Sequence, residues 1–401
     1  RHIGRIRVHP RNPDIAYAAV MGDLFKSSEE RGVYRTTDGG DTWERILFAN
    51  ADAGAVDLLL DPTNPRVVYA STWRIRRTPY SLESGGEGSA LWKRTDGGDT
   101  WREVDNIPGV PERTYVNFVL ASQHDPSTMY AAFNHHKYGD FKPYVYKSTD
   151  MGSTWEAIQG NLPGKGSAYS LAEDHESEDL LFAGTEFGVF FTAEGGNTWK
   201  QLKGGLPTIA VRDMAIHPRE DDLVLATFGR GFYVLDDYSS LRTLPDVLDE
   251  PGTIMTVRDP WLYLEKSPLG RSGNGFQGHS YYRGDNMGPV AMINYYVKES
   301  PLTREAERKK ADSQARKDEE AGVVPTYDEL RAERNERDPY LLFTITDDEG
   351  NIVRKLKQSP RAGLQRMEWD MRYASVDPVR PGRNRSGNLV APGSYSVKME
   401  L

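Results

Sequence analysis

The chain has no cysteine among its 401 residues. That absence excludes disulfides, thiolate-bound zinc and a thiol nucleophile, and it is compatible with any redox compartment. No apolar run approaches the ~18 residues that a membrane helix needs, so no spanning helix is expected. An excess of positive charge is also missing. The net charge is −9, spread along the sequence, which argues against a nucleic-acid partner. No cofactor is expected. His135 and His136 are adjacent and would diverge in a strand or loop, so no metal site is expected from them. The chain opens on Arg1 rather than Met and closes in a strand-like run, Tyr395-Ser396-Val397-Lys398-Met399-Glu400-Leu401. Both ends are therefore expected to be internal to a longer protein, where a leader peptide would not be visible.

What the sequence does have is a repeat. Thr36-Thr37-Asp38-Gly39-Gly40-Asp41-Thr42-Trp43 returns as Arg94-Thr95-Asp96-Gly97-Gly98-Asp99-Thr100-Trp101 and as Ser148-Thr149-Asp150-Met151-Gly152-Ser153-Thr154-Trp155. A looser copy is Thr192-Ala193-Glu194-Gly195-Gly196-Asn197-Thr198-Trp199. The acidic positions are 58, 54 and 44 residues apart (38 to 96, 96 to 150, 150 to 194). Repeats of this length mean a propeller, a solenoid or an array. Each box sits between two short apolar runs, as a glycine-bearing turn does between hairpin strands. Glycine supplies positive φ, and the acid can accept backbone N–H bonds across the turn. Each Trp carries more apolar surface than one small sheet can cover, so Trp43, Trp101, Trp155 and Trp199 are expected to be buried between neighbouring sheets. Asp38, Asp96, Asp150 and Glu194 are read as turn staples rather than catalysts.

Two further strands precede each box, around turns such as His9-Pro10-Arg11-Asn12-Pro13 and Asp61-Pro62-Thr63-Asn64-Pro65. A fifth copy spans 211–244, with its box decayed to Asp236-Asp237-Tyr238 and a last strand expected at 241–244. Residues 1–245 thus read as five four-stranded units, the blades of an all-β propeller. Residues 246–287, rich in Gly, Ser, Asn and Arg around Gly270-Arg271-Ser272-Gly273-Asn274-Gly275, read as a connector with one strand near 254–257. Residues 288–401 read as an incomplete immunoglobulin or fibronectin type III-like sandwich, with strands at 290–297, 340–346, 352–356, 364–371 and 394–399. A charged helical insertion, 302–338, interrupts it. Thr326 and Glu329 form a capping box there, and the insertion reads as a solvated face rather than an interaction arm.

These boxes resemble the Asp-box, or bacterial neuraminidase repeat, of sialidases, xyloglucanase-type glycoside hydrolases and the sortilin luminal domain. The chain looks most like a group of long, secreted bacterial proteins labelled sortilin-like or glycosyl hydrolase-like. The resemblance rests on Arg1-His2-Ile3-Gly4-Arg5-Ile6, Glu30-Arg31-Gly32-Val33-Tyr34, Arg76-Arg77-Thr78-Pro79-Tyr80, Gly184-Thr185-Glu186-Phe187-Gly188, Gly229-Arg230-Gly231-Phe232-Tyr233-Val234-Leu235-Asp236-Asp237 and Ala391-Pro392-Gly393-Ser394-Tyr395. It implies a secreted, periplasmic or cell-surface location. Members of the group are longer, with further blades before Arg1 and between the second and third blades here, so the five units are expected to be part of a larger propeller. The group usually carries His where this chain has Phe228. No segment matches the arginine-bearing motifs of sialidases, so none of their catalytic residues is carried over.

In an up-and-down blade the boxes share one face with the first turns, and the loops between second and third strands lie on the other. Those loops hold the unusual chemistry: Trp73, Arg74, Arg76, Arg77 and Tyr80 in blade two, His135, His136 and Tyr138 in blade three, and Glu186 and Arg230 at the tips of blades four and five. Forked cationic donors and aromatic faces suit a sugar or carboxylate ligand, although an ordinary polar rim would look similar. A second set comes from the first strands, where counting back from the turn prolines gives Arg5, Asp57 and Asp213, with Asn117 and Ser170 nearby. Asp57 and Asp213 could be the carboxylate pair of a glycosidase; the blander alternative is polar residues facing a channel and held by Arg5 or Arg212. The preferred expectation is a binding or scaffold propeller that recognises glycan, peptide or a partner protein through the long-loop face. The alternative is a glycoside hydrolase of xyloglucanase or sialidase type.

Overall fold

A computed structural model describes residues 2–61, 64–95, 100–104, 107–263, 284, 287–318, 322, 324–376 and 387–401. The second box acid, Asp96, and the glycine-rich run at 270–275 lie outside the described residues. The chain divides into two compact units, Arg1–Arg242 and Thr243–Leu401.

The first unit is a succession of small antiparallel sheets in chain order. The first sheet is β1 (His2–Val8), β2 (Ala16–Gly22), β3 (Gly32–Thr36) and β4 (Glu44–Leu47). The second is β5 (Ala53–Leu60), β6 (Val68–Arg77), β8 (Ala90–Arg94) and β9 (Arg102–Val104), with β7 (Leu82–Ser84) pairing only with the far end of β6. The third is β10 (Tyr115–Ala121), β11 (Met129–Asn134), β12 (Tyr144–Ser148) and β13 (Glu156–Ala157). The fourth is β14 (Ala168–Glu173), β15 (Leu181–Thr185), β16 (Gly188–Thr192) and β17 (Lys200–Leu202). The fifth holds only β18 (Val211–His217), β19 (Asp222–Thr227) and β20 (Phe232–Leu235). These are sheets of the kind that form propeller blades.

The fourth strand expected at 241–244 is not formed. A 3-10 turn, Ser239–Leu241, and the short helix α1 (Leu244–Val247) take its place. The reason is Arg242. Its side chain turns back into a carboxylate cluster, with Nη2 2.8 Å from Asp174 and 2.5 Å from Asp221, which an outer strand leading away from the sheet could not satisfy.

The boxes work as the repeat requires. The Asp38 carboxylate accepts from the Thr42 amide at 3.0 Å and from the Thr36 hydroxyl at 2.7 Å. Asp150 accepts from the Thr154 amide at 2.8 Å and its hydroxyl at 2.6 Å, bonds that hold its carboxyl down at about 2. Glu194 keeps only the hydroxyl bond, from Thr198 at 2.7 Å. The residue after the acid is left-handed in all three: Gly39 at φ +76°, Gly195 at +63° and Met151 at +59°. A side chain in this region costs about 1–2 kcal/mol, which glycine's looser unfolded state partly offsets. Met151→Gly is therefore expected to stabilise the protein by about 0.5–1 kcal/mol, read as a raised denaturant midpoint; a loss would show that the Met side chain contributes more than its backbone costs.

The core lies between successive sheets, and Trp101, Trp155 and Trp199 each pack between their own sheet and the one before it. Trp155 joins a cluster with Val67, Tyr69 and Leu91 of the second sheet and Phe133 of the third. Trp199 joins Tyr130, Ala132 and Val145 of the third sheet and Phe190 of the fourth, and donates to the Ile158 carbonyl at 2.8 Å. Trp101 is half-buried against the cluster formed by the first and second sheets. Trp43 departs from the expectation: its ring is 42% exposed. Among the described residues no sheet packs over this indole.

The second unit holds two three-stranded antiparallel sheets. One orders β21 (Gly252–Ile254), β22 (Ala291–Val297) and β25 (Gly363–Trp369); the other orders β24 (Ile352–Gln358), β23 (Leu341–Thr346) and β26 (Ser396–Glu400). Ile293, Tyr295, Phe343, Ile345, Met367 and Trp369 form their shared core. Asp347 builds the expected hairpin turn by accepting from the Asn351 amide at 2.7 Å. Helices α2 (Arg304–Lys317) and α3 (Tyr327–Asn335) lie between β22 and β23 in sequence, with no buried residue in either. The capping box of Thr326 and Glu329 is present, and Arg308 clasps Glu333 through two bonds of 2.7 and 2.8 Å.

Candidate functional site

The first strands of all five sheets share an irregularity. Pairing with the second strand slips by one residue at Gly4 in β1, Val56 in β5, Asn117 in β10, Tyr169 in β14 and Arg212 in β18. A bulge of this kind re-aims the extra side chain. Four of these five residues, Val56, Asn117, Tyr169 and Arg212, line one cleft of about 320 Å³, within the size range of small-ligand sites.

Two aromatic rings form one wall. Trp73 and Tyr115 meet edge to face with centroids 6.2 Å apart. Ser84 fixes both: its hydroxyl accepts from the Trp73 indole at 3.0 Å and its carbonyl from the Tyr115 hydroxyl at 2.6 Å. The Lys137 ammonium lies 5.7 Å from the Trp73 ring centre and 5.1 Å from that of Tyr115, a cation–π arrangement. Burial pulls its pKa below the usual lysine value. Asn117 is held by a bond to the Ala168 carbonyl at 2.7 Å. On the opposite side the Tyr169 hydroxyl donates to Glu186, and the Arg212 guanidinium stacks 3.7 Å above the Tyr169 ring. Burial, then the Glu186 bond, pushes the Tyr169 hydroxyl up to about 12. His136 also lines the cleft, and burial followed by the charges of Lys137 and Arg212 pulls its pKa down.

The structure brings some of the expected residues together and separates others. Trp73 and His136 line the cleft, and Glu186 supports a liner. His135 stacks on Tyr138 at 4.6 Å and bonds Thr114 at 2.9 Å, whereas the His136 ring bonds Asn134 at 2.5 Å. Arg76, Arg77 and Tyr80 stand on the β6–β7 hairpin, away from the cleft lining, with Tyr80 96% exposed. Arg74 flanks the same hairpin, 3.9 Å from Glu83. Arg230 is exposed at its tip. Neither Asp57 nor Asp213 lines the cleft. Asp57 accepts from Arg5 Nε at 2.8 Å, and Asp213 accepts from the Met214 amide at 2.9 Å. Register explains the difference. Counting from the prolines placed Asn117 alongside Asp57, but Asn117 is the bulged residue and Asp57 follows its bulge, so the two point differently.

Tyr115, Lys137 and Tyr169 were not singled out by the sequence, and Arg212 was considered only as a partner for Asp57 and Asp213. Superposing the repeats at the bulge rather than at the turn would have found Tyr169 and Arg212. One other cluster could hold a cation by its ligand atoms, Asp174, His175 and Asp221. Arg242 already occupies it, bonded to both carboxylates.

No protein-family model matches the chain. Part of it is similar in sequence to the xyloglucanase Xgh74A of Acetivibrio thermocellus, at 26% identity over 157 residues, which is 33% of this chain and 16% of that protein. A xyloglucanase of Paenibacillus sp. is 25% identical over 188 residues, 40% of this chain and 17% of that protein. The match therefore spans less than a fifth of either relative. Among solved structures, the GH74 enzyme of Niastella koreensis gives a TM-score of 0.42 at 21% identity, over 58% of this chain and 36% of that one. PorZ, a surface component of the type-IX secretion system of Porphyromonas gingivalis, gives 0.42 at 13% identity, over 98% of this chain and 49% of that one.

Proposed function

We propose that the first unit is the saccharide-binding part of a glycoside-hydrolase-like propeller of the Asp-box kind. The cleft carries this reading: a Trp–Tyr wall, a Tyr stacked on Arg, and Asn and His donors between them are what a sugar's apolar faces and hydroxyl rims call for. Sequence similarity to xyloglucanases favours a glycan over the peptide or protein ligand of a pure scaffold. A secreted, periplasmic or cell-surface location goes with it; no described helix is long and apolar enough to cross a membrane. The same reading takes the five sheets as part of a larger ring. Ile6, Val8 and Trp43 on the first sheet, and Phe232 and Val234 on the last, are exposed, although the middle sheets bury their faces on neighbours. The second unit is read as an immunoglobulin or fibronectin type III-like sandwich.

The second reading is hydrolysis by Asp57 and Asp213, favoured by the same xyloglucanase similarity. Against it stands the cleft lining, which holds no carboxylate, whereas glycosidases need two across the scissile bond.

An oligosaccharide array followed by calorimetric titration of the full chain tests both. Trp73→Ala is expected to weaken binding about tenfold, on the order of 1.4 kcal/mol. Parent-like affinity in that variant, or no retained sugar at all, would remove the basis for a saccharide cleft. Release of reducing ends that disappears in Asp57→Asn and Asp213→Asn would make the second reading the correct one.

A further inference from the structure

We infer that the cleft selects an anionic saccharide, one bearing a carboxylate on the sugar ring, over a neutral one. The inference rests on the saccharide reading above and adds the charge of the ligand.

The cleft lining includes Lys137 and Arg212 and no Asp or Glu. Acidic residues outnumber basic ones in the chain, 59 to 50, so an all-cationic lining runs against the composition. Among the described residues neither cation has a carboxylate partner; rings hold both, and Arg212 also donates to the Tyr169 hydroxyl. Lys137 lies over Trp73 and Tyr115, and Arg212 over Tyr169 with Phe228 at 5.3 Å. Ring stacking fixes the position of a guanidinium, and the bond to Tyr169 uses one of its five N–H donors and leaves the others for a ligand. Glu186 lies behind the lining, where it accepts from the Tyr169 hydroxyl and its charge reaches His136.

Backbone geometry places Arg212 there. The bulged residue is Gly4, Val56, Asn117, Tyr169 or Arg212 according to the sheet, and only the fifth sheet supplies a charge at this position. Lys137 follows the strand end β11 and belongs to the 3-10 turn His136–Tyr138. The two cations thus enter from different sheets.

A neutral sugar seated on the rings would displace water from both cations and return only neutral hydroxyl oxygens, whereas a ring carboxylate would accept charge-assisted bonds from Arg and Lys, which are roughly twice as strong. The wall would take the sugar's apolar face and the cations its acid.

The test uses the full chain, a tetrasaccharide of galacturonic acid, and the same tetrasaccharide with its carboxyls reduced to the neutral galactose form. The acidic form is expected to bind at least about tenfold more tightly, with an affinity that falls as salt rises. Lys137→Met with Arg212→Met, confirmed folded by its melting temperature, should bring the ratio between the two sugars close to one. Equal or tighter binding of the reduced form would overturn the charge selection and leave the saccharide reading standing. Binding of neither sugar, while the array retains other glycans, would overturn the selection alone; an array that retains none would overturn both.

Discussion

Arg242→Ala is expected to cost about 3–5 kcal/mol of stability, because it strands a buried charge. The Asp174 side chain is 0% exposed. Arg242 reaches it through Nε at 3.0 and 2.9 Å and through Nη2 at 2.8 Å, and also bonds Asp221 at 2.5 Å and Glu176 at 2.7 Å. The cluster ties the β14–β15 turn of the fourth sheet to the β18–β19 turn of the fifth. Burial pushes the Asp174 carboxyl up, but the Arg242 bonds and the amides of Glu176 and Ser177 outweigh it, so its pKa ends below the ordinary 3.8. A carboxyl lowered on folding contributes stability that is present above 3.8 and lost as pH falls through the folded value. Without Arg242 that balance reverses, and the variant should unfold at a higher pH in acid titration. Denaturant melts across pH 3–7 check both statements. Asp174→Asn combined with Arg242→Met removes the stranded charge and should be milder than Arg242→Ala. A single variant within about 1 kcal/mol of the parent would show that water reaches Asp174 and that the junction does not depend on this pair.

Trp155→Ala and Trp199→Ala should each cost about 3–5 kcal/mol, whereas Trp43→Ala should cost under about 1 kcal/mol. The three residues hold the same place in the repeat, so local sequence gives no reason for a difference. Exposure does: 7% and 4% against 42%. Trp155 and Trp199 each fill the space between two sheets, and their removal leaves a cavity that the flanking backbone ladders cannot close. Trp43 is exposed in this chain, and its indole donates to the Gly40 carbonyl at 3.2 Å. Chemical denaturation of the three variants side by side decides it. Equal losses would mean that the box Trp acts within its own turn, and the packing of each ring on the preceding sheet would not be its role.

Much of the fold was legible because its signals are local. A box of acid, glycine and hydroxyl folds on itself whatever surrounds it, and Asp38 and Asp150 make the same bonds to Thr42 and Thr154. The capping box at Thr326 and the hairpin at Asp347 were legible for the same reason. The candidate site was legible only in part. Trp73 and His136 stood out as unusual residues in stretches read as variable loops, although the structure carries β6 through Trp73. Tyr169 and Arg212 lie in first strands, where Tyr169 reads as an ordinary inward apolar residue.

The amino-acid order by itself determined the repeat, its strands and its turns, since each depends on contacts within a few residues. The tertiary structure alone decided three things. A one-residue bulge turns Asn117, Tyr169 and Arg212 into the cleft while Asp57 goes to Arg5. Packing on the preceding sheet covers the indoles of Trp155 and Trp199. A buried carboxylate in the fourth sheet's turn draws Arg242 out of the strand its sequence suggests. In each case the outcome depends on what a distant segment places alongside, and side-chain direction reverses with a slip of a single residue.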